Sequence, residues 1–151
     1  MVKVHYKYND GGRLEAGFKG TTGDCVVRAI SIASSIPYKT IYNDIMLANK
    51  NHANTRKGYV AKKLKEKGAT PRNGNFKAVY HNYILALGFK WTPTMKIGSG
   101  CTVHLRKDEL PTGIIICRLS KHLTAVIDGV INDTYDCSRE GTRCVYGYYS
   151  K

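Results

Sequence analysis

Apolar residues fall at two different spacings along this chain, and the change comes at Gly88. Before it they recur every three or four positions, the period of a helix with one buried face. Val26, Ala29, Ile30 and Ala33 mark such a face over 25–35, and Ile41, Ile45 and Ala48 mark a second over 37–50, with Pro37 suited to its first turn. A third helix is predicted over 55–67, capped by Thr55 and stopped at Gly68. A fourth, over 75–87, carries Val79, Tyr83 and Leu87 and ends at Gly88. Beyond Gly88 the pattern becomes alternation, and strands are predicted over 89–95, 113–119, 122–128, 130–135 and 143–149. One further short strand, over 2–8, precedes the turn cluster Asn9-Asp10-Gly11-Gly12. Helices first and an antiparallel sheet afterwards make an α+β chain.

The sharpest local signal is SKHLTAVIDGVINDTYD, over 120–136. Asp128-Gly129 between two alternating apolar runs predicts a tight hairpin. In a two-residue loop Ile127 pairs with Val130, which puts His122 opposite Tyr135 and Thr124 opposite Asp133. His122 and Asp133 then share one face as diagonal neighbours, roughly 7–8 Å apart at Cα and within reach of a side-chain hydrogen bond. Asn132 points the other way. A three-residue loop would instead bring Asp136 opposite His122 and Asn132 onto its face, because a one-residue slip exchanges the two faces.

Length and composition add bounds. With 151 residues and no internal repeat or linker, the chain reads as a single domain over 1–151, large enough for a real core. No run approaches a membrane span, and the first residues lack the apolar segment of a secretory signal, so a soluble, cytoplasmic protein is expected. The five cysteines (25, 101, 117, 137 and 144) form an odd set without the density of a disulfide framework, which predicts a reduced protein. Cys117, inside the run GIIIC, reads as a buried free thiol. The net charge of +13 favours polyanions or acidic partners. It is concentrated over 50–72, where Arg56, Lys57, Lys62, Lys63 and Lys65 are candidate nucleic-acid contacts along a helix; the plain alternative is a solvated face.

Candidate chemistry centres on GTTGDCVVRAISIAS, over 20–34. Cys25 opens a helix, where the free amides and the dipole favour a thiolate. Asp24 is placed to cap that helix, and Arg28 to pair with Asp24 one turn on. A thiolate, an imidazole to activate it and a carboxylate to fix the imidazole are the three parts of a cysteine nucleophile site. Cys25, His122 and Asp133 supply them in that order. Cys101, His104, Cys137 and Cys144 lack the paired close spacing of a zinc site, so no metal is expected, and no motif calls for a cofactor. His52 and His81 read as surface residues.

The two blocks GDCVVRAISIA and KHLTAVIDGVINDTYDCSREG resemble the papain-like cysteine peptidases, nearest to the C39-like branch, in which an Asp follows the His across a hairpin. They are also similar to small phage-encoded proteins. The resemblance implies a papain-like fold of N-terminal helices on a C-terminal antiparallel sheet, and acyl transfer to water through a Cys25 thioester. The substrate would be a peptide or protein, cleaved at a peptide, isopeptide or side-chain amide. It also implies an oxyanion-hole side chain six residues before the nucleophile. That position is Lys19, and with no Gln anywhere in the chain the candidate donors are Lys19, Thr21 or Thr22, or Asn9 from the preceding loop. The other function class is a non-catalytic basic protein on the same fold that engages nucleic acid or an acidic host protein.

Overall fold

A computed structural model describes residues 5–18, 24–71, 75–96 and 98–151. Four helices are present among them: α1 (Cys25–Ser34), α2 (Tyr38–Thr55), α3 (Tyr59–Lys67) and α4 (Lys77–Ala86). The strands are β1 (Tyr6–Tyr8), β2 (Lys90–Pro93), β3 (Ile114–Leu119), β4 (His122–Ile127), β5 (Val130–Asp133) and β6 (Gly147–Ser150). They form one sheet in the order β1-β5-β4-β3-β6-β2. The protein is therefore α+β, but the sheet is mixed where an antiparallel one was expected. β1 lies parallel to β5 at one edge, and the remaining pairs are antiparallel. A strand that enters from the N-terminus has the whole helical layer as its crossover, so nothing forces it into a hairpin.

The helical layer covers one face of the sheet. Val27, Ile30, Ile41, Ile45 and Ile84 from α1, α2 and α4 meet Ile116, Leu123 and Tyr149 from the strands in a closed core. The opposite face carries Ile115, Cys117, Leu119, Val126 and Ile131, covered by Leu105, Cys137 and Val145 from the long connections. Strand alternation thus sends Ile116 to the helices and its neighbours Ile115 and Cys117 away from them. Cys117 is fully buried, as its apolar run implied.

Helix boundaries around Pro37 and Thr55 differ from the periodic reading. α2 continues through Thr55, whose hydroxyl donates back to the Asn51 carbonyl at 2.5 Å instead of capping the next helix. α3 begins after Gly58, which takes a positive φ of 107° as its N-cap. Pro37 is the N-cap of α2 and not a residue of its first turn. His81 also departs from the surface reading, because its Nδ1 lies 2.7 Å from the hydroxyl of buried Tyr149.

The hairpin takes the two-residue loop. Ile127 pairs with Val130, Val126 with Ile131 and Ala125 with Asn132. Asp128 and Gly129 both have positive φ, 49° and 80°, as a type I′ turn requires. Asp128 can hold that conformation because its Oδ1 accepts the Gly113 N–H at 2.7 Å.

Gly147 matters at the other end of the sheet. It pairs with Arg118, and a Cβ there would run into the Trp91 ring lying across it. Gly147→Val is expected to cost about 1–3 kcal/mol, the usual scale of overpacking. The check is the urea midpoint at unchanged slope.

Candidate active site

Cys25 is the first residue of α1, and α1 packs against the middle of the sheet along β4, the strand that starts with His122. The helix start and the strand start therefore meet at one rim of the sheet. Asp24 stands at the N-cap position of α1, as expected, but its side chain makes no capping hydrogen bond. Its carboxylate is fully buried and turned instead to Tyr38 (2.5 Å), Arg13 (3.3 Å) and Arg28 (3.5 Å). Among the described residues no side-chain cap competes for the amides at the start of α1, and the Cys25 N–H lies there beside the sulfur, where an oxyanion donor is needed.

His122 Nε2–H donates to Asp133 Oδ2 at 2.7 Å, with both side chains almost fully buried. The hairpin register read from the sequence is what brings this pair together. Asn132 and Asp136 are committed elsewhere. Asn132 accepts from Asn9 Nδ2 at 3.3 Å and donates to the Val130 carbonyl at 3.0 Å. Asp136 accepts from the Ser138 N–H and hydroxyl at 3.0 and 2.7 Å. The Tyr135 ring, 5.5 Å from the imidazole between centroids, covers its outer side.

With Nε2 committed to Asp133, Nδ1 is the ring nitrogen left for the Cys25 sulfur. Burial pushes the Cys25 thiol up, yet the hydrogen bond and charge of His122, the Leu123 backbone N–H and the Arg28 guanidinium together hold it below the ordinary thiol range. Burial pushes His122 down, but hydrogen bonds to Asp133, Cys137 and Cys25 raise it well above an ordinary imidazole. Burial likewise opposes the Asp133 carboxylate, and the His122 contact together with the Thr134 N–H lowers it overall. The three groups favour a thiolate–imidazolium pair backed by a carboxylate.

Behind the pair runs a buried ion chain. Arg28, 7% exposed, lies 3.5 Å from Asp24 and 3.7 Å from Asp133, and donates to Thr134 Oγ1 at 3.2 Å. The 9–18 loop closes over it. Gly11, at φ 70°, passes so near the Arg28 backbone that a Cβ would sit 3.0 Å from its carbonyl oxygen. The i,i+4 spacing of Asp24 and Arg28 announced one contact; the reach to Asp133 comes only from the packing of α1 on β5.

Cys137 was also hidden in the sequence. It is buried, with Sγ 3.6 Å from Asp133 Oδ2 and in contact with His122. Ligand atoms of His122, Asp133 and Cys137 all lie within 4.8 Å of one another, a nitrogen, oxygen and sulfur set that suits a soft divalent cation. A metal there would take the Nε2 lone pair and replace the His122–Asp133 hydrogen bond. The other members of the cysteine and histidine set go elsewhere. Cys101 and Cys144 form a disulfide, which corrects the expectation of a fully reduced protein, and His104 Nδ1 meets Glu109 Oε1 at 3.1 Å. The bridge was illegible because the connection after β2 meets the segment before β6 through tertiary pairing, His104 with Cys144, that no sequence spacing encodes.

A cleft of about 480 Å³ opens beside Cys25 and His122 and is lined also by Lys77, Tyr80, Arg118 and Lys121. None of these four was singled out by sequence pattern. The cations that were, Arg56, Lys57, Lys62 and Lys65, are exposed at the end of α2 and along α3, and Lys63 pairs with Glu66 at 3.4 Å. They do not line the cleft. Of the oxyanion candidates, Lys19, Thr21 and Thr22 lie outside the described residues. Asn9 is spent on Asn132 and on the Gly11 N–H. Among the described residues no helix is long and apolar enough to cross a membrane.

Comparison of the chain with protein-family models, with curated proteins and with solved structures gives no match in any of the three.

Proposed function

We propose that the protein is a papain-like cysteine hydrolase acting on a peptide, isopeptide or side-chain amide. The observation that carries this reading is the relay from the Cys25 sulfur through His122 to Asp133, with the His122–Asp133 bond at 2.7 Å and the thiol lowered against its own burial.

In this reading the Cys25 thiolate attacks the amide carbonyl carbon. A C–S bond forms and the carbonyl π pair moves onto oxygen, where the Cys25 N–H donates to it. Collapse breaks the C–N bond, and the leaving nitrogen takes the proton from His122 Nδ1. Neutral His122 then accepts a proton from water as its oxygen attacks the thioester, and the thiolate departs as imidazolium is restored. Asp133 holds the ring orientation throughout and stabilises its positive form. Cys25 and His122 are the catalytic residues; Asp133 and Arg28 position them.

The test is selective alkylation. Iodoacetamide at neutral pH, with sites mapped by mass spectrometry, is expected to modify Cys25 at least about tenfold faster than a simple free thiol, whose ionised fraction at that pH is only a few per cent. Buried Cys117 and Cys137 should lag. Reaction at Cys25 no faster than the free thiol would remove the catalytic reading.

A further inference from the structure

The cleft beside Cys25 is cationic on its walls, and no part of the catalytic reading uses that charge. Lys77 comes from the start of α4, Arg118 from β3 and Lys121 from the β3–β4 turn, three separate elements converging on one opening. Among the described residues no Asp or Glu lines it. Among the described residues none of the three cations forms an ion pair, although other basic side chains, such as Arg13, Arg28 and Arg106, do.

Arg118 is the fixed member. Its guanidinium lies 5.4 Å from the centroid of Trp91, which in turn packs on Tyr149 at 4.7 Å and spans the space left by Gly147. A planar fork held this way is arranged to grip a carboxylate with two parallel hydrogen bonds. It also stands at a junction. A second depression of about 420 Å³ shares Lys77, Arg118 and Tyr146 with the first and continues over Trp91, Pro93 and Met95.

We propose that Lys77, Arg118 and Lys121 form an anion-recognition subsite beside the nucleophile, so that the substrate is an acidic peptide carrying an Asp or Glu side chain next to the scissile amide. The proposal rests on the hydrolase reading and names its substrate class. The neighbouring residue of the substrate would lie on the apolar shelf of Trp91, Pro93 and Met95. A peptide fits this groove better than a nucleic-acid strand. Trp91 is already engaged by Arg118 and Tyr149, and the basic run over 56–65 that would follow a phosphate backbone lies outside the cleft.

A pair of reagents that differ in one charge tests it. Iodoacetate and iodoacetamide form the same C–S bond to Cys25 with loss of iodide, but only iodoacetate carries a carboxylate. The quantity read is the ratio of their rates at Cys25, divided by the same ratio for N-acetylcysteine amide. Taking the ratio cancels changes in the nucleophilicity of the sulfur. It is measured at neutral pH and again where any thiol is ionised, so that a preference is legible even if Cys25 proves unactivated. The normalised ratio is expected to exceed unity by at least about tenfold, to fall with added salt, and to drop by about tenfold in Arg118→Gln. The double change Lys77→Gln with Lys121→Gln should lower it further. In the unmodified protein, acetyl-Ala-Glu-Ala-amide should protect Cys25 from iodoacetamide where the Gln counterpart does not. A ratio near unity that Arg118→Gln leaves in place, or equal protection by the two peptides, overturns the proposal. Stronger protection by oligothymidylate than by the Glu peptide overturns it in favour of nucleic acid. Failure of the hydrolase reading is seen separately, as an ordinary absolute rate with iodoacetamide.

Discussion

Replacing His122 with alanine is expected to slow alkylation of Cys25 by about ten- to hundredfold near pH 6.5, because an ordinary thiol is only about 1% ionised two units below its pKa. The sign follows from the two opposed shifts. The Cys25 thiol lies below its usual value, so the thiolate persists as pH falls through neutrality and is lost only at the lowered pKa. His122 lies above its usual value, so the imidazolium persists as pH rises and is lost only at the raised pKa. Hydrolysis, which needs both charged forms, should show a plateau between those limits. Burial is the largest influence on Cys25 and acts upward, and among the described residues removing the imidazole leaves it opposed by the Leu123 N–H and Arg28. The acid limb of the His122→Ala profile should therefore move toward or beyond the ordinary thiol range. Asp133→Asn should instead bring down the alkaline limb of hydrolysis, since the carboxylate heads the influences that raise His122. Profiles of alkylation rate against pH for the parent and His122→Ala decide the matter. An acid limb that stays in place would mean that the imidazole does not ionise the sulfur.

The placement of His122 and Asp133 was legible because it depends on one turn. Asp128-Gly129 fixes a two-residue loop, the loop fixes the register, and the register fixes which side chains share a face. The helix start at Cys25 was legible for a similar reason, since the apolar period begins there. Other features failed where a local rule met a distant partner. Asp24 has the sequence of a cap, but Tyr38 and Arg13 claim its carboxylate from the next helix and the preceding loop. Thr55 likewise has the character of a cap, yet α2 stays helical through it. The parallel pairing of β1 with β5 and the Cys101–Cys144 bridge join segments far apart in the chain, and no spacing rule encodes them. Charge was the least legible property. The dense basic run over 56–65 caught attention by its sequence density, while Lys77, Arg118 and Lys121 are scattered singly and converge only in the folded chain.

Arg28 should be the most costly single residue of the site to the stability of the fold. Its side chain is 8% exposed, and the carboxylates beside it are at 0% for Asp24 and 3% for Asp133. Removing one member of a buried ion pair leaves the others desolvated without compensation, at a cost of about 3–5 kcal/mol. Two contacts soften that figure here. Arg13 still reaches Asp24 at 3.3 Å, and His122 still reaches Asp133 at 2.7 Å. Arg28→Met, which keeps the length and loses the charge, is therefore expected near the lower end, about 3 kcal/mol. The loss should appear as a lower urea midpoint at unchanged slope, against an exposed control, Lys65→Ala, that stays within about 0.5 kcal/mol of the parent. Adding Asp24→Asn to Arg28→Met should recover part of the loss, because it removes one of the two stranded charges, and the resulting coupling energy measures the pair. The same substitution should raise the acid limb of Cys25 alkylation, since Arg28 is among the groups that hold the thiol down. An Arg28→Met protein as stable as the control, with that limb unmoved, would show that the chain Asp24–Arg28–Asp133 neither holds α1 against β5 nor supports the nucleophile. Both effects together would tie the stability of the helix–sheet junction to the ionisation of the sulfur at its rim.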